Sequence, residues 1–359
     1  RPVDISGLEW TRAKVLDSSS IKTATRGQSL LQAFSAALSA AQAFEGATAP
    51  NPPVACVILS NEGEVLATAA HQKAGQPHAE ALAIEACRQN CTLEKIHTLI
   101  VTLEPCNHNG RTPPCSEAIL TTPAREIWIG AADPNSHVKG GGAAQLKAAG
   151  LAVHLWSELS DAAAADLSIR ANRLIAPFAK RVTTGLPWIT VKQALNSNGT
   201  MLPPFGQKTF TSPQSLDLAH ALRKRADAIL TGSGTVLADL PLLNVRRVSD
   251  FPEKRRKLVL MDRRRRIPKS YVIESEARGF DVLMPASLDE AFKTLGQLGV
   301  NEVLVEAGPE ITNAVLQSGQ WDEHVLITQA KSPEMNDEIT ITLNDNSSNT
   351  ESANVFRNH

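Results

Sequence analysis

Residues 101–115 read Val-Thr-Leu-Glu-Pro-Cys-Asn-His-Asn-Gly-Arg-Thr-Pro-Pro-Cys, and residues 77–80 read Pro-His-Ala-Glu. These two stretches decide the fold of the first half of the chain. Thr98 to Leu103 is an apolar run that predicts a buried strand, closed by Glu104-Pro105. His78 and Glu80 open a predicted helix running to about Arg88, and a second helix begins near Pro114-Cys115. An imidazole, a carboxylate and two thiols thus stand at helix starts and at a strand end.

Outward from there, strand and helix alternate. Leu31, Phe34, Leu38 and Ala41 recur at helical spacing, and Asn51-Pro52-Pro53 ends that helix. Val54 to Leu59 and Val65 to Ala70 read as paired strands about an Asn61-Glu62-Gly63 turn. Glu126 to Ala131 and Leu151 to Trp156 read as strands around a helix at Ala143–Ala149. This alternation predicts an α/β sandwich.

An Ala-rich helix from Asp161 to Ala179 then leads to Thr183-Thr184-Gly185, read as a linker. Beyond it the alternation resumes: strands at Trp188–Ala194, Ala228–Thr231, Leu258–Met261 and Glu302–Glu306, with helices at Ser215–Arg225, Leu288–Leu298 and up to Gln317. The turns Gly232-Ser233-Gly234 and Ala307-Gly308-Pro309 follow strands, where open α/β sheets bind ligands. The expected division is a polar extension over 1–29, one α/β domain over 30–184, and a second over 185–359 with a polar tail from Asn344. The arginine run 263–266 follows a strand and reads as a solvated turn.

Composition narrows the function. A chain of 359 residues can bury two cores. A net charge of −1 and 4% aromatic residues supply neither a basic groove nor stacking platforms, which argues against nucleic acid as partner. No apolar run approaches the roughly 18–20 residues of a membrane span. The five cysteines make no disulfide framework and fit a reducing, cytoplasmic setting; Cys56, Cys87 and Cys91 read as ordinary thiols.

His78, Cys106 and Cys115 are the expected metal ligands. One imidazole and two thiolates leave the fourth tetrahedral position of zinc open, as a catalytic site requires. Zinc lowers the pKa of a bound water to roughly 7, making hydroxide available to attack a ring carbon that bears an amine. Glu80 is the expected proton shuttle, and His-x-Glu before a helix is the arrangement of zinc deaminases. A closed site completed by a fourth ligand such as His108 is the bland alternative. Eight residues separate Cys106 from Cys115, where nucleobase deaminases commonly have two. The insertion carries Arg111, a cation suited to a phosphorylated substrate.

With these residues in view, the chain resembles the riboflavin-biosynthesis RibD family, bifunctional pyrimidine deaminases and ribosylaminouracil reductases. Residues 101–115, Gly75-Gln76-Pro77-His78-Ala79-Glu80, Pro50-Asn51-Pro52 and Asp133-Pro134-Asn135 carry the likeness, which covers roughly residues 31–330. It implies a cytidine-deaminase-like α/β/α sandwich followed by a dihydrofolate-reductase-like α/β domain. Asn51, His71 and Arg111 would contact the substrate, a phosphorylated pyrimidine.

In the second domain the resemblance implies NADPH as cofactor. It places Arg223, Leu243, Arg246 and Glu306 at the substrate, and Ala194, Thr209, Thr235, Asp239 and Gly308 at the cofactor. Association into a homo-oligomer through this domain is also implied. Several family positions differ here: Leu195-Asn196-Ser197-Asn198-Gly199-Thr200 lacks the usual aspartate, Gln207-Lys208-Thr209 lacks a tryptophan, Leu240 stands for an aspartate, and Gln329-Ala330-Lys331 replaces Ala-Pro-Lys. Two readings stay open: a bifunctional enzyme, or a deaminase whose reductase-like domain is inactive.

Overall fold

The structure is a computed structural model that describes residues 26–107, 113–135, 141–203, 209–332 and 335–344. They divide into two compact units, residues 26–179 and 180–344.

The first unit contains α1 (Arg26–Gln42), β1 (Ala55–Leu59), β2 (Val65–Ala70), α2 (Ala79–Gln89), β3 (Thr98–Val101), α3 (Cys115–Leu120), β4 (Glu126–Ile129), α4 (Gly141–Ala148), β5 (Ala152–Leu155) and most of α5 (Ala162–Thr184). The sheet order is β2-β1-β3-β4-β5. β1 runs antiparallel to β2 and β3, while β3, β4 and β5 are parallel. Side chains alternate across a strand, so β1 feeds two cores. Ala55, Val57 and Leu59 pack with α1 and α5, around Phe34 stacked on Trp156 at 4.7 Å between ring centroids. Cys56 and Ile58 pack on the opposite face with α2, α3 and α4. This is an α/β/α sandwich. Burying each large apolar side chain stabilises it by roughly 1.5–3 kcal/mol.

Two boundaries differ from the sequence reading. α1 begins at Arg26, so residues 26–29 belong to the helix rather than to a polar extension. Adding a turn to a nucleated helix costs little, and Arg26 pairs with Glu126 at 2.5 Å. α5 runs through Thr183 and Thr184, both expected in a linker. Both hydroxyls bond back to the Lys180 carbonyl, and Gly185 follows at φ 75°.

The second unit adds β6 (Trp188–Leu195), α6 (Pro213–Arg225), β7 (Ala228–Gly232), α7 (Ser233–Asp239), β8 (Arg256–Met261), α8 (Lys269–Ala277), β9 (Phe280–Leu283), α9 (Leu288–Gln297), β10 (Glu302–Val305), α10 (Pro309–Ser318), β11 (Glu323–Thr328) and β12 (Glu338–Leu343). Its sheet order is β12-β11-β6-β10-β7-β8-β9. All strands are parallel except the edge strand β12. The core lies on both faces: Ala228 and Leu230 pack with α9 and α10, and Ile229 with α7 and α8. β9, β11, β12, α7 and α8 were not read from the sequence.

Candidate functional site

α2 starts where the chain leaves the β2 edge. His78 is its N-cap residue with extended backbone, and Glu80 lies in the first turn. Cys106 follows the end of β3, and Cys115 opens α3 after Pro114. The fold brings His78 Nδ1, Cys106 Sγ and Cys115 Sγ within 4.8 Å of one another. Nδ1 lies 3.3 Å from the Cys115 sulfur and 3.6 Å from the Cys106 sulfur. Zinc bonds of about 2.0–2.3 Å at tetrahedral angles put neighbouring donors roughly 3.5–3.8 Å apart. The trio therefore fits zinc in both chemistry and spacing.

The electrostatics agree. The Cys115 thiol, with help from His78 and the Cys115 amide at 3.4 Å, holds Cys106 down to about 4. Cys115 is raised, because the shared proton stays on it beside the Cys106 sulfur and away from water. One thiolate forms readily, and the second needs a cation in place of the proton.

Glu80, in the first turn of α2, is 3% exposed. Its Oε2 has no hydrogen-bond partner among the described residues. Burial raises its carboxyl above the ordinary range. A buried polar atom without a partner is rare and needs a reason; the reason offered by the geometry is a group that arrives with substrate. Asn51 and His71 are together: Asn51 Nδ2 lies 3.2 Å from His71 Nε2. His71 Nδ1 donates to the Pro77 carbonyl at 3.1 Å, which fixes the tautomer and leaves Nε2 as acceptor. Burial lowers the His71 pKa, keeping the ring neutral at pH 7. His71 meets His78 edge-on at 5.4 Å. Arg111 and His108 lie outside the described residues.

In the second unit, the C-terminal ends of parallel strands gather the expected groups. Arg223 of α6 donates two bonds of 2.8 Å to Glu306, just past β10. Lys192 of β6 reaches the same carboxylate at 3.1 Å. Burial alone would raise Glu306, but Lys192 and Arg223 hold it far below the ordinary carboxylate range. Lys192 was not singled out from the sequence; the available signal was a lysine inside an apolar strand. The loop 241–247 is tied to α6: the Arg246 amide donates to His220 Nδ1 at 3.0 Å, and Arg223 donates to the Asn244 carbonyl at 3.2 Å. Leu243 sits there at φ 53° with its side chain in the core. Burial, Arg223 and Arg246 push His220 down to about 4.

Because β7 and β10 are neighbours, the turns after them meet. A Cβ at Gly308 would contact Thr235 Oγ1 at 3.4 Å. Gly234 faces open space, and no side chain caps α10 at Gly308. A helix start without a side-chain cap beside an open glycine turn suits the phosphates of a dinucleotide. Asp239 ends α7, Ala194 pairs in register with Ile327, and Thr209 bonds only locally to Thr211. No hydrogen bond or ion pair among the described residues joins these three to the Thr235–Gly308 pair. In the divergent turn after β6, Asn196 accepts from the amides of Asn198 and Thr200, so this asparagine builds the turn itself.

Residues 28–131 match the cytidine and deoxycytidylate deaminase zinc-binding region, and residues 187–331 match the RibD C-terminal domain. The riboflavin biosynthesis protein RibD of Escherichia coli K12 is 34% identical over 330 residues, covering 82% of this chain and 86% of that protein. RibD of Mycobacterium tuberculosis H37Rv is 34% identical over 296 residues, covering 81% and 82%. Among solved structures, Acinetobacter baumannii RibD superposes with a TM-score of 0.72 at 29% identity, covering 86% of this chain and 89% of that one. A Thermotoga maritima diaminohydroxyphosphoribosylaminopyrimidine deaminase/5-amino-6-(5-phosphoribosylamino)uracil reductase superposes with a TM-score of 0.74 at 26% identity, covering 87% and 90%.

Proposed function

The chain belongs to the RibD family of riboflavin biosynthesis, and from that premise we propose that it catalyses two successive reactions on one phosphorylated pyrimidine. The first is hydrolytic deamination of a diaminohydroxyphosphoribosylaminopyrimidine by residues 30–184. The second is NADPH-dependent reduction of the ribosyl chain to ribityl by residues 185–359. The observation that carries the first is the three-donor cluster with a buried, unpartnered Glu80 oxygen beside it.

His78, Cys106 and Cys115 would hold zinc, which when bound would make hydroxide available near neutral pH. Glu80 takes one proton from the attacking water and delivers it to the ring nitrogen; it then takes the proton left on the added hydroxyl and passes it to the amino group, which leaves as ammonia. Water is consumed and ammonia released. Asn51 and His71 orient the heterocycle; neutral His71 acts as a hydrogen-bonding group, not a cation. Arg111 is assigned to the substrate phosphate as a cation of suitable charge.

In the second unit Arg223, Leu243, Arg246 and Glu306 are assigned to the ribosyl chain. Glu306 stays ionised between Arg223 and Lys192, so it accepts hydrogen bonds from sugar hydroxyls and favours positive charge on the opened imine form of the sugar, the form that is reduced. Thr235, Gly308, Asp239, Ala194 and Thr209 are assigned to the nicotinamide cofactor, which supplies the hydride. The inactive-reductase alternative finds no support: the match to the RibD C-terminal domain spans residues 187–331 and the Arg223–Glu306–Lys192 cluster is assembled.

No helix among the described residues is long and apolar enough to cross a membrane, and all five cysteines are free. The reading extends to a cytoplasmic enzyme that does not use nucleic acid and self-associates through residues 185–359; sedimentation tests the last point. The decisive assay gives purified protein its substrate and follows ammonia and NADPH together. Ammonia release followed by NADPH oxidation is expected. Ammonia release with no oxidation of NADPH by the deaminated product would overturn the second activity, and no ammonia from zinc-loaded protein would overturn the first.

A further inference from the structure

Helix α4 is pressed against the loop that carries Cys106. A Cβ on Gly142 would fall 1.8 Å from the Pro105 carbonyl oxygen, and one on Gly141 would fall 2.1 Å from Asn107 Nδ2. The two contacts differ in kind. The Asn107 side chain can rotate away, but the Pro105 oxygen is backbone next to Cys106. Only glycine at 142 allows this approach.

Glu104 fixes the same junction from the strand side. It is 6% exposed. Its Oε1 accepts the Ala143 N–H at 3.1 Å, its Oε2 accepts the Asp133 N–H at 3.2 Å, and its own amide donates to the Ala131 carbonyl at 2.9 Å. The Ala143 N–H is one of the first-turn donors that α4 cannot satisfy internally. A carboxylate there also meets the positive end of the helix dipole. On the other side Ser116, next to Cys115, donates to Gln145 of α4 at 2.7 Å. Both cysteine-bearing segments are thus fastened to one helix.

We propose that Glu104 and Gly142 are positioning residues for the metal centre, making α4 a strut that holds Cys106 and Cys115 at ligand spacing. The proposal rests on the reading of His78, Cys106 and Cys115 as zinc ligands. It is tested on the full zinc-loaded chain by the rate of zinc transfer to a chromogenic chelator, with thermal melting recorded alongside. Gly142→Ala and Glu104→Gln are each expected to release zinc about tenfold to a hundredfold faster, the range seen when groups supporting metal ligands are removed. Gln keeps the volume but turns an NH2 toward a backbone N–H. Gly141→Ala is expected to release zinc at the wild-type rate.

Faster release at an unchanged melting temperature supports the strut. Wild-type release rates in both Gly142→Ala and Glu104→Gln overturn it. If Gly142→Ala does not fold, Glu104→Gln alone decides. A wild-type chain that takes up no zinc overturns the ligand assignment itself, and the strut with it.

Discussion

Glu80 is held in the first turn of α2 with one carboxylate oxygen buried and unpartnered. Leaving such an atom without a partner costs about 1–3 kcal/mol. Glu80→Gln keeps the shape and loses the proton transfer. Ammonia release is expected to fall by about 10²–10⁴-fold while zinc content, read by atomic absorption, stays at one per chain. Wild-type ammonia release in that variant would remove Glu80 from the shuttle role. At this scale His78, Glu80, Cys106 and Cys115 were legible because their types and local spacing already state the chemistry. Glu104 lies inside the same quoted string, yet its partners come from 29 and 39 residues downstream. No local pattern announces that.

Among the elements, α5 shows how a buried charge sets a helix end. Lys180 reaches Asp322 at 2.5 Å, and the same carboxylate oxygen accepts the Ile189 N–H at 2.7 Å. Asp322 is 1% exposed, and burial raises its carboxyl despite Lys180. Asp322→Ala strands both an ammonium and a strand amide, so a loss of about 3–5 kcal/mol in denaturant unfolding is expected. A loss under about 1 kcal/mol would mean that water replaces the carboxylate. β11 escaped the sequence reading for a related reason. Its first residues, Glu323 and His324, are polar, but Arg225 pairs with Glu323 at 2.7 Å and Gln193 with His324 at 3.1 Å. Those partners lie on α6 and β6, so tertiary pairing made a strand that period-two patterning concealed.

Across the molecule, the described residues proposed for each reaction lie within a single compact unit. Chelation of zinc is therefore expected to abolish ammonia release while NADPH oxidation, assayed with deaminated product, continues; joint loss would contradict this separation. Stability should also carry the signature of Glu302, which burial and nearby Glu323 push up to about 7 against the pull of Arg225. A carboxyl raised on folding keeps its proton where the unfolded chain has lost it. Its contribution is full below the unfolded value of about 4.3 and is lost as pH rises through about 7. His220, lowered to about 4, works in the opposite sense up to about 6.5. The clean measurement is a difference: wild type minus Glu302→Gln should lose on the order of 3 kcal/mol of unfolding free energy between pH 4.5 and 8. A flat difference would mean that Glu302 stays ionised in the folded protein.

The alternation of strands and helices in the first unit, the two α/β halves and the residues of the metal cluster follow from sequence alone, because hydrophobic period and local chemical grouping act over short distances. Helix continuity through Thr184, the polar start of β11, the Lys192–Glu306–Arg223 cluster and the close seat of α4 on Pro105 were decided by the tertiary structure. Each depends on a partner tens of residues away, whose approach fixes burial, charge and space, and no window along the chain contains that approach.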